Sequence, residues 1–373
     1  MFRFIHSADL HLGKRFGNFS GDLPGRLREA RHTVIARLAE HAHTHGASAI
    51  LLAGDTFDTE TPAPDVRRQA LAEMARHSAV QWVILPGNHD SLQAAQLWAN
   101  MRSEAPENVV LAVEPAPVAL APHVTLLPAP CTTRRPGRDL SEWMDAAATA
   151  DGTIRIGLAH GAITEFSEDK VASDVIAPDR AARAGLDYLA LGDWHGAIAV
   201  NPRTHYSGSP EQDRFKHDRM GEALLVSIAE QGALPQVERL RTGSFFWQSL
   251  HLHLLDGDDP VEALAALLAT AADRRQALVR VHASGNTRLA GRTALGEAAA
   301  NAAHDFAWFA MENDALHTVC EVDDLDQIDR GGALRQAAAA LLAETQDDRL
   351  SAGEREIANA ALARLHAFAQ QVA

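Results

Sequence analysis

The sequence predicts an α/β protein: a mostly parallel sheet covered by helices on both faces, then a smaller α+β domain, then terminal helices. Three observations carry this. Near-continuous apolar strands alternate with helical segments over the first two hundred residues, as expected for strands buried on both faces. Those strands break abruptly at glycines followed by acids and histidines. From about residue 221 the texture changes to a hairpin and then to a shorter strand and helix alternation.

The first strand covers residues 2–8 of "MFRFIHSADLH". A loop with Gly13, Gly17, Gly21, Pro24 and Gly25 leads to a helix over about 26–45. Its stripe Leu27, Val34, Leu38, Ala42 has helical spacing, and Gly46 stands where a C-terminal cap belongs. The strand "SAILLAG", a helix over about 65–78 and the strand "QWVILPG" follow. Beyond them lie the strands "VTLLPAP" and "TIRIGLAH", a helical segment at 178–185, and "LDYLALGDWH". The segment "GEALLVSIAEQGALPQVERLRT" forms two strands around a turn at Gln231 and Gly232, closing a first domain of residues 1–243. A second domain, 244–328, reads as strand "FFWQSLHLHLL", helix 260–273, strand "ALVRVHAS", helix 289–302 and the strands "DFAWFAME" and "LHTVCEV". Residues 329–373 are helical near 333–345 and 352–372, and Ser351 with Glu354 has capping-box spacing.

Composition narrows the function classes. Of 373 residues, 46% are hydrophobic and 22% charged, the profile of a soluble globular protein. The chain enters a strand at once, leaving no apolar stretch for a signal peptide, and no segment approaches the roughly 20 apolar residues that span a bilayer. A cytoplasmic location without membrane association is expected. Cys131 and Cys320 are too few for a thiolate zinc site and read as buried small apolar residues. A formal charge of -15 argues against wholesale coating by nucleic acid, while leaving room for a local basic track. Histidine is abundant, at 19 residues, and neutral imidazole is a common metal ligand.

The chemistry-bearing residues share one location, just after an apolar strand: Asp9 and His11 in "SADLH", Asp55 and Asp58 in "AGDTFD", Asn88 and His89 in "PGNHD", His160 in "LAHG", and Asp193 and His195 in "LGDWHG". In a sheet covered on both faces the carboxyl ends of the strands form one rim, so residues more than 180 positions apart converge there. Asp9 and His11, like Asp193 and His195, are one residue apart, a spacing that aims both side chains the same way in extended backbone. Carboxylate oxygens, an amide oxygen and imidazoles suit a pair of divalent ions such as manganese, iron or magnesium. A single strand-end acid is commonly a helix cap. Five strand ends carrying acids and histidines together have no comparable structural explanation.

This ordered set resembles the calcineurin-like metallophosphoesterases, whose signature D-x-H, G-D-x-x-D, G-N-H-D, lone His and G-H-x-H is matched by Asp9 and His11, Gly54 to Asp58, Gly87 to Asp90, His160, and Gly192 to His195. The segments "SADLHLGK", "GDTFDTETPAP" and "YSGSPEQDRF" are similar to the SbcD branch of DNA repair exonucleases, and the likeness covers residues 1 to about 240. The resemblance implies a four-layer α/β/β/α sandwich, a small capping domain and two bound divalent ions, with Mn2+ expected and Fe2+ or Mg2+ as alternatives. It implies one metal on Asp9, His11, Asp55 and His195 and the other on Asp55, Asn88, His160 and Asp193, with Asp55 bridging. His89 corresponds to the histidine that positions the phosphate and protonates the leaving oxygen, and Asp58 is expected to orient His89. The chain departs from the family at Asp193, where histidine is usual. A carboxylate there makes a harder second site; the alternative is a weak or empty one.

The resemblance implies a DNA exonuclease or endonuclease acting in DNA repair, with DNA as partner, an SMC-like ATPase subunit of the SbcC type, and a homodimer left open. Lys14, Arg15 and Arg214 are the substrate-binding candidates, beside Arg134, Arg135, Arg138, Lys216 and Arg219. Two other readings stand beside it: a small-molecule phosphatase or cyclic nucleotide phosphodiesterase, and a noncatalytic scaffold with the same fold.

Overall fold

Two six-stranded sheets, rather than one, make the first of two structural units in the computed structural model, which describes residues 1–163, 175–217, 219–271, 273–319, 328 and 332–372. In the first sheet Phe2–Ser7 (β1), Ala49–Leu52 (β2), Gln81–Ile84 (β3) and Val109–Leu111 (β4) run parallel. In the second, Val124–Ala129 (β6), Ile154–His160 (β7), Tyr188–Gly192 (β8) and Thr204–Tyr206 (β10) run parallel. Val118–Ala121 (β5) and Ile198–Asn201 (β9) form its antiparallel edges. Glu222–Ile228 (β11) and Gln236–Arg241 (β12) are the expected hairpin, and it extends the first sheet from β1.

Alternation along the strands explains the layers. Ile5, Ile50, Leu52, Trp82 and Ile84 turn outward onto the helices Leu23–His45 (α1), Pro64–Arg76 (α2) and Ala95–Glu104 (α3), meeting Val34, Leu38, Met74 and Trp98. Their neighbours Phe4, Leu51 and Val83 turn inward and meet Leu126, Ile156, Leu158 and Tyr188 of the second sheet. That sheet's outer face, Leu127, Ala159, Leu189 and Leu191, is covered by Met144 and by Ala181, in the short helix Arg180–Arg183 (α4), with Ala184 and Leu186 beyond it. The architecture is the four-layer α/β/β/α sandwich. One apolar strand, read alone, does not reveal whether its second face meets a helix or another sheet, which is why periodicity points to a single sheet.

Differences at the element level have local causes. Helix α1 begins at Leu23, ahead of the expected 26, because Pro24 lies in the first turn, where no N–H partner is needed. Gly46 does cap it in the left-handed region, φ 63°. Helix α3 and strands β4, β5, β9 and β10 are additions to the expected elements, being short or weakly periodic.

The second unit, Trp247–Ala373, contains a three-stranded sheet in the order Phe246–Leu254 (β13), Ala277–Arg288 (β14), Trp308–Val319 (β15), β13 starting at the end of the first unit. The last is one long strand parallel to β14 where two were expected. Helices Pro260–Leu268 (α5) and Leu289–Ala303 (α6) cover one face through Leu264, Leu268 and Leu295. Helices Ala333–Thr345 (α7) and Ala352–Val372 (α8) pack Ala338, Leu342 and Leu362 against Leu289. The capping box is present: Ser351 N–H donates to Glu354 at 2.8 Å, and Glu354 N–H donates to Ser351 Oγ at 3.3 Å. Cys131 is buried, its thiol 3.5 Å from the His160 carbonyl; Cys320 lies outside the described residues.

Candidate metal centre

The ends of β1, β2 and β3 from one sheet and of β7 and β8 from the other open into a single pocket. The backbone there is not extended. Asp9, His11, Asp55 and Asp193 all have positive φ, at 55°, 44°, 53° and 97°. Extended spacing is therefore the wrong geometry for these pairs, although their side chains do converge. Such conformations cost energy for residues bearing a Cβ and persist only when neighbours fix them. Here the loops after β1 and β2 are zipped together: Asp9 N–H donates to Gly54, His11 N–H to Asp55 and Leu12 N–H to Thr56, at 3.1, 2.9 and 2.9 Å. Glycine is required at close approach. A Cβ on Gly87 would lie 2.1 Å from Asp55 Oδ1, and one on Gly54 would lie 2.2 Å from His160 Nδ1.

Asp55 stands at the centre. Its Oδ2 is 3.7 Å from His11 Nε2 on one side and 3.5 Å from His160 Nε2 on the other. His195 Nε2 is 3.4 Å from His11 Nε2. Asp193 Oδ1 lies 3.9 Å from His160 Nε2 and 3.4 Å from Asn88 Nδ2, while its N–H points to both Asp9 carboxylate oxygens. Ligand atoms of Asp9, His11 and His195 fall within 4.8 Å of one another, as do those of Asp9, Asp55 and His160.

Hydrogen bonding sets the tautomers. His160 Nδ1 donates to the Ala53 carbonyl at 2.8 Å, leaving a lone pair on Nε2. That Nε2 is buried without a hydrogen-bond partner, as is Asn88 Oδ1. His195 Nδ1 donates to Asp213 Oδ1 at 3.1 Å, so its Nε2 also carries a lone pair toward the cluster. Burial drives Asp9 and Asp55 well above the usual carboxylate range, reinforced by neighbouring carboxylates, and pushes the His11 imidazole well below its usual value. Buried anions crowded together and orphaned acceptors cost free energy unless cations compensate them. Oxygen and imidazole donors without sulfur fit hard or borderline divalent ions.

His89 lies at the edge of this cluster. Its N–H donates to Asp55 Oδ1 at 2.9 Å, its ring sits edge-on to His11 at 4.9 Å, and its Nδ1 donates to the Asp58 carbonyl at 3.0 Å. From sequence, the Asp58 side chain was expected to orient His89. The structure gives that contact to the Asp58 backbone, because the carboxylate turns the other way, 3.2 Å from His11 Nδ1 and 3.9 Å from Lys14. Burial alone would raise Asp58, but His11, Lys14 and His89 hold it low. Asp90 folds its own loop, accepting from Phe57 N–H and Gly87 N–H at 3.0 and 2.7 Å.

The basic candidates separate. Lys14 is tied to Asp213 at 2.7 Å, and Arg214 to the same carboxylate at 2.9 Å. Arg15 is exposed, as are Arg134, Arg135 and Arg138. Of these, Arg134 is close enough to depress His89, after burial and against the Asp58 contact.

Two residues of the site are not evident from the sequence. Arg31 is fully buried and donates to the carbonyls of Leu10 and Glu211, pinning the β1 loop to the 211–213 loop. An arginine four residues after Leu27, on the apolar stripe of α1, is the signal that could have found it. Asp213 has no such signal, since its partners His195 and Lys14 lie 18 and 199 residues away.

The calcineurin-like phosphoesterase family model matches residues 2–227, and the chain belongs to that family. It is a hydrolase acting on phosphoric ester bonds. Within the family its likeness is to the SbcD-like branch. It is 27% identical over 285 residues to the SbcD subunit of the nuclease SbcCD from Escherichia coli K12, covering 64% of this chain and 68% of that protein. It is 34% identical over 113 residues to the corresponding SbcCD nuclease subunit from Rhodobacter capsulatus, covering 29% of this chain and 24% of that protein.

Proposed function

We propose that this chain is a two-metal phosphodiesterase that cleaves DNA. The observation that carries it is the Asp55 carboxylate lying between His11 and His160, with His160 Nε2 and Asn88 Oδ1 buried and otherwise unsatisfied beside it. Asp9, His11, Asp55 and His195 would hold one ion, and Asp55, Asn88, His160 and Asp193 the other, with Mn2+ favoured by the mixed oxygen and imidazole set. Two such ions supply an activated water and a clamp on the phosphoryl oxygens.

The protein's own groups orient the ester and move a proton. His89, held through Nδ1 by the Asp58 carbonyl, keeps Nε2 for the leaving oxygen. Arg15 and Arg134, exposed near this edge of the fold, are the cations available to DNA phosphates. Lys14 and Arg214 are engaged by Asp213, so their charge is already used within the protein. DNA as substrate, a role in DNA repair and an SMC-like ATPase partner are supported by the relatives, each named as a subunit of a nuclease. Ile357 and Phe368 on α8, 70% and 59% exposed, offer apolar contact to such a partner. A cytoplasmic setting agrees with the described helices, none of which is long and apolar enough to cross a membrane.

The test is a Mn2+-dependent assay comparing a phosphodiester chromogen, a phosphomonoester chromogen and linear DNA, alongside metal stoichiometry. Cleavage of the diester and DNA with two ions per chain is expected. Preference for the monoester would favour a phosphatase, inactivity on all three a scaffold, and a single ion at saturating Mn2+ would remove the two-metal reading.

A further inference from the structure

We infer that Asp213 is a positioning residue of the metal centre: its carboxylate fixes His195 with Nε2 presented to the metal, and Lys14, Arg31 and Arg214 hold that carboxylate in place. This rests on the two-metal reading above.

The Asp213 side chain is 1% exposed, and both oxygens are engaged. Oδ1 accepts from His195 Nδ1 at 3.1 Å and from Arg214 Nε at 2.9 Å. Oδ2 accepts from Lys14 Nζ at 2.7 Å and from Arg214 Nη2 at 3.2 Å, with Arg31 Nη2 at 3.6 Å. A neutral imidazole carries one N–H. A carboxylate accepts only, so this contact places the proton on Nδ1 and the lone pair on Nε2. Nε2 is the atom facing His11 and Asp9. A carboxylate behind a metal-binding imidazole fixes ring orientation and raises ligand basicity. Three cations around one buried anion exceed what holding a single imidazole requires, and they explain how the carboxylate stays charged without water.

The loop carrying Asp213 is also anchored to the opposite wall. Ser209 Oγ lies 2.9 Å from the Asp9 carbonyl, and Arg31 Nη2 donates to the Glu211 carbonyl at 3.1 Å. Asp213 thus shares one rigid loop system with Asp9, the residue that completes the His11 and His195 cluster.

Asp213→Asn keeps the shape and removes the charge. Mn2+ titration calorimetry on the full-length, metal-stripped chain should show the dissociation constant of one site raised by about 10- to 100-fold, with the stoichiometry recovered at excess Mn2+. Phosphodiesterase turnover should return as Mn2+ is raised, which a loss of structure would not allow. Wild-type Mn2+ affinity in Asp213→Asn, with or without a lower melting temperature, overturns the assignment. If that variant does not fold because its cations lose their counter-charge, the Lys14→Met/Asp213→Asn double variant removes one surplus cation and is judged by the same titration. Absence of Mn2+ binding by the wild type is the separate result that removes the two-metal reading and this inference with it.

Discussion

His89 is the side chain at the pocket edge whose ring is fixed through one nitrogen by a backbone carbonyl rather than by an acid. Replacing it with alanine leaves the Asp55, His11 and His160 cluster in place. We expect unchanged Mn2+ stoichiometry and a turnover reduced by about two orders of magnitude. Single-turnover kinetics on a phosphodiester checks this, and unchanged activity would remove the role. At Asp193 the chain replaces an imidazole with a carboxylate facing His160. Asp193→His should therefore shift preference from Mg2+ toward Zn2+ by about tenfold, since imidazole is the softer donor. Competition titration of the two ions measures the shift, and an unaltered preference would show that Asp193 does not touch the ion.

At the scale of elements, α8 shows local code working without help from the fold. Ser351 and Glu354 are legible as a cap three residues apart, and both reciprocal bonds are present. Ser351→Ala should cost about 1 kcal/mol in denaturant unfolding of the full chain. No loss would mean that water satisfies the helix end equally well. Helix α1 shows the opposite case. Its stripe predicts the buried face, yet Arg31 on that stripe is buried to join loops, not to fill the core. Arg31→Met keeps the stem and removes the donors, leaving buried carbonyls of two loops unpaired and Asp213 with one cation fewer. A loss of about 3 kcal/mol or more is expected, measured by the same unfolding.

For the whole molecule, the interface between the two sheets sets a pH limit. His6 lies there, fully buried between Tyr188 Oη at 3.0 Å and the Leu191 carbonyl at 3.1 Å. Burial, then the neighbouring His205, pushes it down to about 3, and burial takes His205 to about 4. The folded state thus prefers both rings neutral, whereas the unfolded chain takes up protons near pH 6.5. Their contribution is complete above about pH 6.5 and is lost as the pH falls toward 4 and then 3. Between pH 6.5 and 4.5 the wild type should lose more melting temperature than His6→Asn, which does not titrate. Equal losses would show that His6 is not held neutral.

The sequence by itself determined the chemistry: which strands end in acids and imidazoles, that sulfur is absent, and that glycines at 54 and 87 leave room for close approach. These are local properties, written in period and residue type. Only the tertiary structure decided that two sheets rather than one supply the ligands, that Asp9, His11 and Asp55 leave extended backbone, and that Asp58 turns to His11. It alone brought Asp213 onto His195 and Lys14, because a contact across 199 residues depends on how strands stack, and no local pattern of side chains encodes it.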